Sequence, residues 1–173
     1  MIELERTYLL KKIPKGLKEC KFKEIIDIYI PKSNEHPVLR IRKNGNKFEM
    51  TKKQPIKGND SSCQEEQTII LSEEEFKELS KIDGKKVRKF RYYYEYKGRT
   101  AEIDIFQELL KGLILVDFEF NTLEEKNSFT LPEFCLNEVT QEKFTAGGML
   151  CGKTYKDIEN ELQKFNYKSL FLD

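Results

Sequence analysis

The sequence is poor in the side chains that most often carry catalysis near neutral pH. It has one histidine, His36, in a Ser33-Asn34-Glu35-His36-Pro37 stretch whose turn-forming residues read as a loop. A catalytic base is therefore left to Lys, Asp, Glu or a metal-bound water. The four cysteines stand at 20, 63, 135 and 151. Their long spacings match no Cys-x-x-Cys metal pattern and read as scattered reduced thiols of a cytoplasmic protein. A Cys/His zinc site lacks ligands. An excess of one charge is also missing: 31 Lys plus Arg against 30 Asp plus Glu argue against a chain that coats nucleic acid. Long apolar runs are absent too. Leu113 to Val116 follows Lys111 and stops at Asp117, so no membrane helix is expected. Glu3, Glu5 and Arg6 stand where the apolar core of a secretory signal would lie, and no signal peptide is expected.

What is present is a polar but foldable chain. Charged residues make up 35% and aromatics 12%, too much Ile, Leu, Phe and Tyr for a disordered segment. The 173 residues fit one domain, 1–173, large enough for a core without disulfides. No internal repeat, low-complexity tract or linker divides it.

Alternation predicts strands over Ile2 to Leu10, Lys23 to Ile30, Val38 to Lys43, Lys47 to Lys53, Gln64 to Leu71, Val87 to Tyr96, Thr100 to Phe106 and Leu113 to Phe120. Asn44-Gly45 is the expected hairpin turn, with Arg40 then facing Glu49. Lys97-Gly98 is a second turn. Gln54 to Ser62 reads as a flexible loop. Ser72 and Glu75 form a capping box for a helix whose apolar face is Phe76, Leu79 and Ile82. Short helices are expected over Leu123 to Phe129 and Glu138 to Phe144. A C-terminal amphipathic helix, from about 153 to Tyr167, carries Ile158, Leu162 and Phe165 on one side. Gly147-Gly148 reads as a helix C-terminal turn. The rings from Phe90 to Tyr96 are expected to face covering helices. Eight mostly antiparallel strands with marginal helices make an α+β, barrel-type fold.

Five strands place two like charges at i and i+2, which point to one face of a sheet. The pairs are Glu3 and Glu5, Arg40 and Arg42, Lys89 and Arg91, Glu102 and Asp104, and Asp117 and Glu119. Thr51 and Lys53 continue the face of Arg40 and Arg42. A solvated sheet face accounts for any one strand, but such faces mix signs. Like charges at ~6 Å and an effective dielectric of ~20 repel by roughly 3 kcal/mol, much less when fully solvated. Five sorted pairs suggest a closed sheet with carboxylates on some inner walls and cations on others. Divalent metal ions suit the first and a polyanion the second.

These residues resemble the CYTH, or triphosphate tunnel metalloenzyme, superfamily. The opening Glu-x-Glu-x-Lys motif of that family reads Glu3-Leu4-Glu5-Arg6-Thr7 here. Leu39-Arg40-Ile41-Arg42, Thr51-Lys52-Lys53, Lys89-Phe90-Arg91, Glu102-Ile103-Asp104, Val116-Asp117-Phe118-Glu119-Phe120 and Glu138-Val139-Thr140 follow in order. The resemblance covers about residues 1 to 150. It implies an eight-stranded antiparallel closed β-barrel, a tunnel with a charged lumen and helices packed outside. It also implies Mg²⁺ or Mn²⁺ and a small-molecule triphosphate substrate, with neither nucleic acid nor membrane as partner. Members hydrolyse inorganic triphosphate, nucleoside triphosphates or thiamine triphosphate, and others are class IV adenylate cyclases. On this likeness Glu3, Glu5, Asp117 and Glu119 hold metal, and Arg40, Arg42, Lys53, Lys89 and Arg91 hold phosphates. Glu66, Glu102 and Asp104 support them, and Lys89 doubles as a proton acceptor. A metal-dependent triphosphatase is the expected activity. A cyclase and a non-catalytic triphosphate- or polyphosphate-binding module are the alternatives. Three positions depart from the pattern: Thr7 replaces Lys, Gln64-x-Glu66-x-Thr68 replaces Arg-x-Glu-x-Glu, and the late basic segment thins to Lys143-Phe144-Thr145.

Overall fold

A computed structural model describes residues 2–56, 58 and 60–172. The alternating segments form nine strands: β1 (Ile2–Leu10), β2 (Phe22–Ile30), β3 (Leu39–Asn44), β4 (Lys47–Pro55), β5 (Cys63–Leu71), β6 (Lys85–Tyr96), β7 (Arg99–Phe106), β8 (Ile114–Phe120) and β9 (Cys135–Glu138). They make one antiparallel sheet ordered β5-β4-β3-β2-β6-β7-β8-β1-β9, and a β5–β1 pairing closes the first eight strands into a barrel. The eight expected strands are present with ends shifted by one or two residues. β4 runs on to Pro55, so the expected loop at 54–62 is shortened to 56–62, and its positions 57 and 59 fall outside the described residues.

β9 corrects the expected helix at 138–144. Only Ile2 to Leu4 of β1 pair with β5, so the other half of β1 would expose an unpaired edge. Backbone groups removed from water need partners. The chain from Cys135 supplies them: Tyr8 pairs with Glu138, and Val139 donates its backbone N–H to Thr7 at 2.8 Å. Beyond it only a single 3₁₀ turn, Lys143–Thr145, forms.

The β3–β4 hairpin also differs from expectation. Asn44 pairs with Lys47, so the turn residues are Gly45 and Asn46, and Arg42 rather than Arg40 faces Glu49. Asn44 is kept in the strand because the β2 ladder reaches it: Ile25 pairs with Asn44, and Gly45 N–H donates to Glu24 at 2.8 Å. Gly45 adopts φ 59, which suits the first central position of a two-residue hairpin turn. The register slides by two residues, so the face on which Arg40 and Arg42 point is unchanged.

Four helices accompany the barrel: α1 (Glu73–Leu79), α2 (Leu123–Ser128), α3 (Gly147–Leu150) and α4 (Tyr155–Gln163). The Ser72–Glu75 capping box of α1 is formed. Ile82 lies beyond α1 and is exposed, so the apolar contact of this helix comes from Phe76, whose ring meets Phe48 at 5.0 Å. α4 stops at Gln163, short of Tyr167, and Asn166 takes φ 56. Gly147 and Gly148 begin α3 instead of ending a helix. A Cβ on Gly147 would lie 2.1 Å from the Tyr29 hydroxyl, and one on Gly148 would lie 2.2 Å from the Pro37 carbonyl oxygen. Close approach of this segment to β2 and the β2–β3 loop explains both glycines.

Two apolar clusters hold the molecule together. Outside the barrel, Leu4, Tyr8, Ile103, Val116 and Phe118 pack with Leu17 and Phe134. Tyr92, Tyr94 and Tyr96 lie against this cluster half-buried. Tyr92 stacks on Phe22 of β2 at 4.9 Å, and Tyr94 and Tyr96 meet Phe134 at 5.7 and 5.1 Å, so these rings pack on a strand and a connecting segment instead of the expected covering helices. The second cluster closes one end. There Leu9, Tyr29, Val87, Phe106 and Leu115 meet Val139, Phe144 and Leu150, with Ile158 and Leu162 of α4 behind them. Each fully buried aliphatic side chain contributes ~1.5–3 kcal/mol.

Tyr167 ties the chain end to this cluster. Its hydroxyl donates to the Gly112 carbonyl and accepts from Ile114 N–H, both at 2.9 Å. Tyr167→Phe takes the partner from the buried Ile114 N–H, while the Gly112 carbonyl keeps Leu170 N–H, and should cost about 1–2 kcal/mol of stability. Urea denaturation checks this, and an unchanged midpoint contradicts the tie.

Candidate functional site

Side chains of alternate residues on β1 to β8 converge on one cavity of about 710 Å³. β1 contributes Glu3, Glu5 and Thr7; β2 Asp27 and Tyr29; β3 Arg40 and Arg42; β4 Glu49 and Lys53. β5 adds Glu66, β6 Lys89 and Arg91, β7 Glu102 and Asp104, and β8 Asp117 and Glu119. All twelve side chains singled out in the sequence, five cations and seven carboxylates, therefore line the same space. Period-two alternation is the whole reason: neighbours on the other face, such as Leu4, Ile103, Val116 and Phe118, are apolar and belong to the outer cluster.

Asp27, Tyr29, Glu49, His36 and Lys143 line the cavity as well and were not singled out as site residues. Asp27 carried a signal. It is an acid set between Ile26 and Ile28, and β2–β3 register sets it opposite Arg42. Their contact is bidentate, at 2.6 and 2.8 Å, with both side chains buried. Burial pushes the Asp27 carboxyl up, but the Arg42 charge and hydrogen bonds outweigh it and hold it at about 2. Arg91 has a similar tie, to Asp104 at 2.7 and 2.6 Å, and also reaches Glu102. Lys89 donates to Asp104 as well. Burial pulls the Lys89 ammonium below the usual lysine range, and the charges of Arg91 and Arg42 add to that against Asp104.

The remaining cations are held differently. Lys53 reaches across from β4 to Glu3 at 2.6 Å and Glu5 at 2.8 Å. Arg40 is held loosely, 3.8 Å from Glu66 and 3.4 Å from the Tyr29 hydroxyl. Its Nε is buried with no hydrogen-bond partner among the described residues. Lys143 has no ion pair among them and faces His36, whose pKa burial and the Lys143 charge lower. Thr7, where the family pattern has Lys, donates to Asp117 at 2.7 Å.

Among the described residues the cavity wall carries ten acidic and six basic side chains, a formal excess of four negative charges. The strain of that excess falls on β8. Glu119 makes no ion pair or hydrogen bond among the described residues, and burial, then Glu102 and Glu3, raise its pKa. Asp117 is raised by burial, then by Glu5 and Asp104. Crowded carboxylate oxygens of this kind are hard donors and fit a divalent cation such as those bound through oxygen. No three acidic, histidine or cysteine side chains among the described residues stand together as a ready coordination set. Glu3 and Glu5, the nearest to one, are turned to Lys53.

Comparison with known proteins agrees with this geometry. An inorganic triphosphatase of Nitrosomonas europaea is 28% identical over 145 residues, spanning 83% of this chain and 92% of that protein. A crystal structure of an inorganic triphosphatase superposes with a TM-score of 0.63 at 26% identity, over 86% of this chain and 93% of that one. A putative adenylate cyclase from Bacillus halodurans shares the fold, with a TM-score of 0.53 at 17% identity over 99% and 93% of the two chains. The CYTH domain family model matches residues 1–142, and the chain belongs to that family.

Proposed function

We propose that the protein is a metal-dependent triphosphatase that hydrolyses a phosphoanhydride bond of inorganic triphosphate or a nucleoside triphosphate. The observation that carries this reading is the cavity wall, where cations able to hold phosphate oxygens stand beside an uncompensated surplus of carboxylates. A triphosphate is itself a polyanion and would be repelled by that surplus. Glu3, Glu5, Asp117 and Glu119 would hold Mg²⁺ or Mn²⁺. When bound, such an ion neutralises charge on the phosphate oxygens and on the carboxylates together. The inorganic triphosphatase relative, 28% identical, supports the same assignment.

The rest of the chemistry falls to the chain's own groups. Arg40, Arg42, Lys53, Lys89 and Arg91 bind the phosphate oxygens and stabilise charge on the transferred phosphoryl and its leaving group. Arg40 Nε is a buried donor with no partner among the described residues, which leaves it free to take one. Asp27, Glu66, Glu102 and Asp104 keep the cations in place. Water attacks phosphorus, the anhydride bond breaks, and Lys89 takes the proton from the attacking water. Its lowered pKa suits that role. The partner is a small molecule, and neither nucleic acid nor a membrane is required. No helix among the described residues is long and apolar enough to cross a membrane, and the four cysteines are unpaired, which supports a cytoplasmic setting. The domain is taken as 1–173, because α4 and Tyr167 complete the cluster at the closed end.

The test is a substrate panel of inorganic triphosphate, ATP, GTP and thiamine triphosphate with Mg²⁺ or Mn²⁺. Orthophosphate release that requires metal is expected, and Glu5→Gln should abolish it while the circular dichroism spectrum is retained. Cyclic AMP with pyrophosphate, or binding without turnover at any metal concentration, contradicts the proposal.

The proton role of Lys89 gives a pH signature. A neutral amine is the active form, and its pKa lies below the usual lysine value, so kcat should rise with pH until that group is deprotonated. Lys89→Met should lower kcat and remove the rising limb. A change confined to KM, with the limb intact, would make Lys89 a phosphate clamp only.

A further inference from the structure

Among the described residues, Lys53 is the one cation on the cavity wall that bridges two of the carboxylates assigned to metal. Its Nζ lies 2.6 Å from Glu3 Oε2 and 2.8 Å from Glu5 Oε1. Arg42 and Arg91 have acids of their own on adjacent strands, Asp27 and Asp104, and those pairs are almost sealed from solvent. The Lys53 triad is more open, with the three side chains about one-fifth exposed. Glu66, its neighbour in the β4–β5 register, also serves Arg40. The two glutamates are on β1, and β5 lies between β1 and β4, so the contact reaches over one strand and is made by the far end of a flexible stem.

We propose that Lys53 is an exchangeable internal counter-ion. In the ligand-free protein it occupies the Glu3–Glu5 carboxylates, and a divalent cation takes them over and frees the ammonium for phosphate. This rests on the metal and triphosphate reading above. An ammonium is a compact point charge on four methylene groups and can swing without moving the backbone. At equal distance and dielectric a divalent ion attracts a carboxylate about twice as strongly, and hard oxygen ligands suit it better. The two cations cannot both be seated on Glu3 and Glu5. Metal affinity is thus held down until Lys53 leaves, and Lys53 becomes a phosphate ligand only once metal has arrived. The triad explains why an acid-rich wall shows no assembled coordination set.

Mn²⁺ binding to the full chain, followed by electron paramagnetic resonance without any phosphate, tests this independently of activity. Lys53→Met should bind Mn²⁺ about tenfold more tightly than the wild type, the size expected from removing one competing ion pair. Arg40→Met is the control. It removes the same charge from the same cavity, and Arg40 acts on Glu3 only through space. It should change the affinity by less than about threefold if seating rather than overall charge decides. Equal gains in both variants, or none in Lys53→Met, overturn the exchange. If neither the wild type nor either variant binds Mn²⁺, the metal assignment itself fails.

Discussion

The constraint on which this structure turns is the surplus of carboxylates enclosed by a sheet that has no free inner edge. Among the described residues, ten acids and six bases share one cavity wall. The sheet cannot open to relieve them, because β5 pairs with β1 and β9 covers the rest of that strand. The chain answers locally. Asp27 takes Arg42, Asp104 takes Arg91 and Lys89, and Glu3 and Glu5 take Lys53. What is left over collects on Glu119 and Asp117, whose carboxyls are pushed toward the neutral form. On the proposed function, a site in that condition takes up cations and admits a polyphosphate only in their company.

Apolar packing decides where that charge sits. The inner face of the barrel is not charged along its whole length: Leu9, Tyr29, Val87, Phe106 and Leu115 turn it apolar toward one end. Val139, Phe144 and Leu150 fill that end, and the glycines at 147 and 148 let the segment lie against Tyr29 and Pro37 without a clash. Burial by this cluster is what removes water from Asp27, Lys89 and Asp104. Low local dielectric then makes the ion pairs there strong and shifts the lysine downward. Packing at one end of the barrel thus sets the electrostatics of its middle.

Much of this was legible because a strand has a period of two. Same-sign pairs such as Lys89 and Arg91, or Glu102 and Asp104, mark a face whatever the register, so a slide of two residues at the β3–β4 turn still left Arg40 and Arg42 on the cavity face. The same rule passed over Asp27. One acid among isoleucines has no like-charged neighbour at i±2, and its meaning appears only when β2 is laid against β3. β9 was hidden for another reason. Its four residues are fixed by the vacant edge of β1, a long-range demand with no local pattern. His36 and Lys143 come from connecting segments, where no periodicity assigns a side chain to a face.

The most direct test of the account is calorimetric titration of inorganic triphosphate into the metal-free protein and into the protein with Mg²⁺, at one ionic strength. A wall with surplus negative charge predicts no measurable association in chelator and clear binding once the divalent ion is supplied. Equal affinity in the two conditions would contradict it, since the cations of the chain would then suffice without help.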